Sequence, residues 1–93
     1  MMSNTFNYGS PITGTLTATT AVVPLPNLVY PATLILNSAA AGRAIQLSFD
    51  NGTTYYGAVT PTQSETSQIY YVLNFPCTTV KFTGAIADTY IIL

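Results

Sequence analysis

Apolar and polar residues alternate with period two along much of this chain. In Arg43-Ala44-Ile45-Gln46-Leu47-Ser48-Phe49, Ile45, Leu47 and Phe49 fall on one face and Gln46 and Ser48 on the other. That is the pattern of a half-buried strand. Asp50-Asn51-Gly52 follows, residues that accept positive φ, and the chain returns through Thr53 to Val59. These signals predict a β-hairpin over 43–59. Thr78-Thr79-Val80-Lys81-Phe82-Thr83 alternates in the same way, with Val80 and Phe82 inward. Gly84 to Asp88 supply a turn, and Thr89 to Leu93 run apolar to the last residue. A second hairpin is predicted over 78–93, its apolar end tied down because leaving it in water forfeits its burial.

Two further runs read as strands. Leu28 to Leu36 is apolar but includes Pro31, which predicts an edge strand or a bulge. Gln68 to Phe75 is rich in Tyr, Ile and Val and ends at Pro76. The polar stretch Thr60 to Ser67 reads as an exposed loop. Ser38 to Ala44 is Ala-rich but interrupted by Gly42, so it reads as a loop or at most one helical turn. No long stretch free of breakers has a helical period. Short strands separated by regular turn signals predict an all-β fold, a single antiparallel β-sandwich or small barrel of about six to eight strands.

The first 27 residues differ from the rest. They hold Pro11, Pro24 and Pro26 and no charged residue. Ile12 to Ala18 and Thr20 to Val23 fit two readings. They are the first short strands of the sandwich, or they form an extended arm that adds to a neighbouring chain's sheet edge. The expected division is 1–27 for the arm or first strands and 28–93 for the sandwich core.

Composition changes the picture from fold to role. Only 5% of the 93 residues are charged, namely Arg43, Asp50, Glu65, Lys81 and Asp88, and the net charge is -1. Soluble domains average about 25% charged residues. So little charge gives weak repulsion between copies and suits a component of an assembly better than a freely diffusing monomer. One Arg and one Lys cannot line a phosphate-binding groove, so no nucleic-acid partner is expected.

Candidate chemistry is sparse. There is no histidine, so the usual general base of a hydrolytic triad is missing. The lone Cys77 rules out an intramolecular disulfide and a multi-cysteine zinc site, and its apolar surroundings predict a buried, inert thiol. Lys81 falls on the outward face of its strand. Asp50 and Asp88 sit in turns, where a carboxylate accepts nearby amide hydrogens, and Glu65 sits in a polar loop. No pair is placed for glycoside chemistry. Asp50-Asn51-Gly52 lacks the further oxygens of a calcium loop. The Asn51-Gly52-Thr53 sequon is read as part of the turn, since no secretory signal is recognised at the N-terminus. No catalytic residue, cofactor, metal or membrane span is expected, and the protein is expected to be used in the cytoplasm in which it is made, or in something assembled there.

Contact remains. Tyr55-Tyr56 and Tyr70-Tyr71 each send one ring to either face of a strand, and an outward tyrosine offers large contact area with few rotors. The candidate partner contacts are Tyr8, Leu16, Val22 and Val23 in the N-terminal region and Tyr56 and Tyr71 beyond it.

The segment Ala44 to Tyr56, Ala-Ile-Gln-Leu-Ser-Phe-Asp-Asn-Gly-Thr-Thr-Tyr-Tyr, resembles a hairpin of small bacteriophage virion proteins. The tail from Thr79 to Tyr90 resembles the closing hairpin of the same sort of protein, and the two cover about a quarter of the chain. The resemblance implies a capsid decoration (cement) protein or a similar accessory subunit of a head or tail. Its implied partner is the major capsid protein or another virion protein, its implied state a homo-oligomer with a trimer ahead of a dimer, and its implied location the virion. The alternative is a carbohydrate- or receptor-binding β-module of a phage tail fibre or an adhesin.

Overall fold

The structure, a computed structural model, describes residues 11–25, 31–59 and 67–93. Among the described residues the fold is all-β, with eight strands in two antiparallel sheets of four. The strands are β1 (Ile12–Thr15), β2 (Thr20–Pro24), β3 (Ala32–Asn37), β4 (Ala44–Ser48), β5 (Tyr55–Val59), β6 (Ile69–Leu73), β7 (Thr79–Thr83) and β8 (Thr89–Ile92). One sheet has the order β1-β8-β3-β6 and the other β2-β7-β4-β5. The first strand pairs with the last, the second with the seventh, the third with the sixth and the fourth with the fifth. That is the winding of an eight-stranded jelly roll, in which one long antiparallel ribbon is rolled into a sandwich.

The alternation read from the sequence fills the interior. Leu34, Leu36 and Ile92 from one sheet meet Ile45, Leu47, Val80 and Phe82 from the other, all at most 5% exposed. Each such side chain contributes about 1.5–3 kcal/mol by leaving water. The hairpin over 43–59 is present as β4 and β5, and Ser38 to Arg43 form a non-helical connection. The C-terminus is tied down, since Thr33 and Leu93 exchange two backbone hydrogen bonds of 3.1 and 2.9 Å. Residues 12–24 form strands, one in each sheet.

Three expectations change. The stretch 78–93 is not a hairpin: β7 and β8 lie in different sheets, joined by a link that crosses the end of the sandwich. Period two fixes which residues face inward but not which strand lies alongside. Here β2 and β1 take the edges beside β7 and β8. Of the strand expected over 28–36, residues 28–30 lie outside the described residues and the rest is not an edge: β3 runs between β8 and β6, and Pro31 falls just before it, where no ladder bond is lost. Phe49 is not inward. β4 ends at Ser48 and Phe49 is 46% exposed. The expected loop at 60–67 lies outside the described residues except for the exposed Ser67.

The winding sends alternate connections to opposite ends. The β4–β5 and β6–β7 connections share one end with Pro11 and Leu93. The β1–β2, β3–β4 and β7–β8 connections share the other.

Candidate functional site

The β4–β5 connection is held by a side-chain hub. Ser48 is fully buried, and its Oγ donates to Asp50 Oδ1 at 2.7 Å and accepts from the Gly52 amide at 2.9 Å. Asp50 Oδ1 also accepts from the Thr54 amide at 2.8 Å. These bonds, the Thr54 amide first and the Ser48 hydroxyl next, hold the Asp50 carboxyl below the usual aspartate range. Asn51 and Gly52 take positive φ, 61° and 89°, as the turn residues were expected to. The Asn51 amide donates to Thr78 Oγ1 at 2.8 Å and the Thr78 amide to the Ser48 carbonyl at 2.9 Å, tying this loop to the β6–β7 connection.

That frame projects three rings. Phe49 lies between Ser48 and Asp50 and turns outward. Its ring centroid is 5.5 Å from Tyr56 and 5.9 Å from Phe75, with interplanar angles of 56° and 31°. All three rings are exposed, by 46%, 57% and 42% respectively. Ring contacts in this range stabilise one another, yet each ring still offers a face to solvent. An exposed aromatic cluster on a rigid support is the composition of a contact hot spot.

The residues singled out from the sequence divide. Tyr56 joins the cluster, and Val22 is exposed on the outer face of β2. Leu16 and Val23 belong to the core, 1% and 6% exposed, because β1 and β2 are integral strands whose inward positions must be filled. Tyr71 also turns inward and packs on the core, in phase with buried Ile69 and Leu73; the outward ring of that pair is Tyr70. Tyr8 lies outside the described residues. Phe49 and Phe75 were missed. Their signal is position, each at the end of a strand run and next to a turn residue, Asp50 or Pro76.

Among the described residues, Asp88, Lys81, Arg43 and Cys77 each make a contact within the fold. Asp88, at the opposite end from Asp50, accepts from the Ala85 amide at 2.7 Å. The Ser38 hydroxyl first, and that amide second, lower its pKa. Two carboxylates at opposite ends of the sandwich cannot act as a pair; Glu65 lies outside the described residues. Lys81 Nζ sits 4.2 Å from the Tyr55 ring centroid, a cation–π contact. Arg43 Nη1 donates to the Ser38 carbonyl at 2.8 Å. Cys77 is buried as expected, 6% exposed, and desolvation pushes its thiol pKa up. Asn37, Ser38, Asp88 and Thr89 line an open cleft of ≈ 460 Å³ at the end away from the rings. Among the described residues, no cluster of three His, Cys, Asp or Glu is placed to hold a metal, and no helix is long and apolar enough to cross a membrane.

No family model, curated protein or solved structure matches the chain. The jelly-roll order is therefore read from the chain's own strand pairings, and the ring cluster from its own geometry.

Proposed function

We propose that this protein is a non-enzymatic structural subunit of a virus particle, a capsid decoration (cement) protein that stabilises the shell by protein–protein contact. The observation that carries this reading is the cluster of Phe49, Tyr56 and Phe75, three exposed rings of which Phe49 touches the other two, at one end of a jelly roll. Jelly rolls recur in viral capsid domains, an analogy of fold that supports the reading without fixing it. Low charge supports it further, because copies can crowd on a shell with little repulsion. The partner is the major capsid protein or another virion protein, and copies act as a homo-oligomer.

Binding of purified protein to assembled shells tests this directly. Phe49→Ala is expected to weaken co-sedimentation with shells about tenfold or more while leaving the fold intact. Wild-type protein that ignores assembled shells overturns it.

The same rings favour a second reading, a carbohydrate-binding module, since lectin domains also use this winding and sugars stack on exposed aromatics. Binding to a glycan array that is lost in Tyr56→Ala selects this reading; an array without hits removes it.

A further inference from the structure

Asn51-Gly52 is the one asparagine–glycine pair in the sequence. The side-chain amide of an asparagine is open to attack by the main-chain nitrogen of the next residue, and glycine, with no Cβ, hinders that attack least. In such a step the Gly52 nitrogen gives its proton to solvent hydroxide and bonds to Asn51 Cγ. The Cγ–Nδ2 bond breaks, and Nδ2 takes a proton from water and leaves as ammonia. Water then opens the cyclic imide at either carbonyl, leaving an aspartate or an isoaspartate.

The fold holds the reacting groups in unlike states. Asn51 is exposed, so water and hydroxide reach it. The attacking nitrogen is engaged: the Gly52 N–H donates at 2.9 Å to Ser48 Oγ, and Ser48 is fully buried. That bond keeps the proton on the nitrogen and fixes the plane of the peptide that must turn for attack. The peptide on the other side of Asn51 is held as well, since the Asn51 N–H donates to Thr78 Oγ1 at 2.8 Å. Asn37-Ser38 offers a contrast. Its asparagine Nδ2 donates to Thr89 Oγ1 at 3.0 Å and its Oδ1 accepts from Gln68 Nε2 at 2.8 Å, so there the side chain itself is tied away from the next nitrogen.

We propose that Asn51 is a self-modification site latched by Ser48: the asparagine is preserved while the Gly52 amide bonds the Ser48 hydroxyl, and a chain whose β4–β5 connection opens converts it to aspartate or isoaspartate. Local opening of a loop, without unfolding of the core, is enough to release the nitrogen. Isoaspartate inserts an extra carbon into the main chain ahead of Gly52, so the Gly52 amide no longer meets Ser48 Oγ and the hub does not close again. Either product adds a negative charge next to Asp50, in a chain whose net charge is only -1. Phe49 lies between Ser48 and Asp50, so conversion also loosens the frame beneath the exposed rings. The inference holds whatever partner those rings meet.

Incubation of the full chain at mildly alkaline pH, followed by tryptic digestion and fragmentation mass spectrometry, tests this. The tryptic peptide Ala44 to Lys81 contains both Asn51 and Asn74. Folded wild type is expected to lose ammonia at Asn51 about tenfold or more slower than the same chain in denaturant. Folded Ser48→Ala is expected to convert Asn51 about tenfold faster than wild type, with Asn37 and Asn74 unchanged. Val80→Ala, a core truncation that lowers global stability at least as much, is expected to change the rate less than about twofold. Thr78→Val, which frees the Asn51 amide and leaves Ser48 in place, is expected to accelerate conversion about threefold and serves where Ser48→Ala does not fold. Equal rates for wild type in the folded state and in denaturant overturn the latch. So do an unchanged rate in Ser48→Ala and Thr78→Val, or an acceleration by Val80→Ala that matches theirs, which would route conversion through global unfolding.

Discussion

Phe82 and Tyr90 stack with ring centroids 4.8 Å apart and planes 12° from parallel, although they belong to different sheets. Phe82 is fully buried on β7 and Tyr90 half-buried on β8. The crossing link Gly84 to Asp88 brings the two rings together inside the sandwich rather than side by side on one sheet. Tyr90 also lies over Gly14, its register partner on β1, where a Cβ would fall on the ring. A glycine at that strand position thus makes room for the ring that links the two layers.

Gly14→Ala is therefore expected to force Tyr90 off Phe82 and to destabilise the protein by about 1–3 kcal/mol. In a Tyr90→Ala background the same change is expected to be neutral or stabilising by up to about 1 kcal/mol, as an ordinary replacement of glycine in a strand. Urea unfolding of the four chains of this double-mutant cycle measures the coupling.

Ser48→Ala removes the acceptor of the Gly52 amide and a donor to Asp50. The expected cost is about 1–3 kcal/mol, because the hydroxyl is buried and its partners lose a bond. Amide exchange at Gly52 and Thr54 is expected to accelerate more than exchange in β3, as measured by hydrogen-exchange NMR.

Much of the fold was legible because it is local. The alternation of Ile45, Leu47, Val80 and Phe82 gave their inward faces, and Asp50-Asn51-Gly52 gave the hairpin. What was not legible depends on distant partners. The pairing of Ile12 with Ile92 closes a contact across nearly the whole chain, and nothing near either residue encodes it. That pairing sends β8 away from β7 and makes Leu16 core. The phase of Tyr70-Tyr71 is ambiguous in isolation and is settled by burial of Ile69 and Leu73. Phe49 continues the period of β4, but the Ser48 hub ends the strand one residue earlier and turns its ring into the exposed cluster.

Acid sensitivity follows from Asp50 and Asp88. Both carboxyls are held below their ordinary value in the folded protein, so in acid the unfolded chain binds protons first. Their stabilisation is present above the ordinary aspartate pKa of about 4 and is lost as pH falls through that value toward the lower folded one. With no histidine to titrate, stability from these groups is expected to be level between about pH 5 and 8 and to fall below about pH 4. Urea midpoints against pH measure this, and Asp50→Asn/Asp88→Asn is expected to flatten the acid fall.

Cys77 is expected to resist modification in the folded protein. Burial both blocks access and disfavours the thiolate. Labelling with a disulfide reagent at neutral pH is expected to run about a hundredfold or more slower than in denaturant, where exposure by unfolding no longer limits it. Equal rates in the two conditions contradict the buried placement.

The most direct test of a surface-acting virion subunit is to band particles from the source culture on a density gradient and identify their proteins by mass spectrometry. The chain is expected in the particle band at a fixed ratio to the major capsid protein. Its recovery solely in the slowly sedimenting fraction, with none in the particle band, would contradict the proposal.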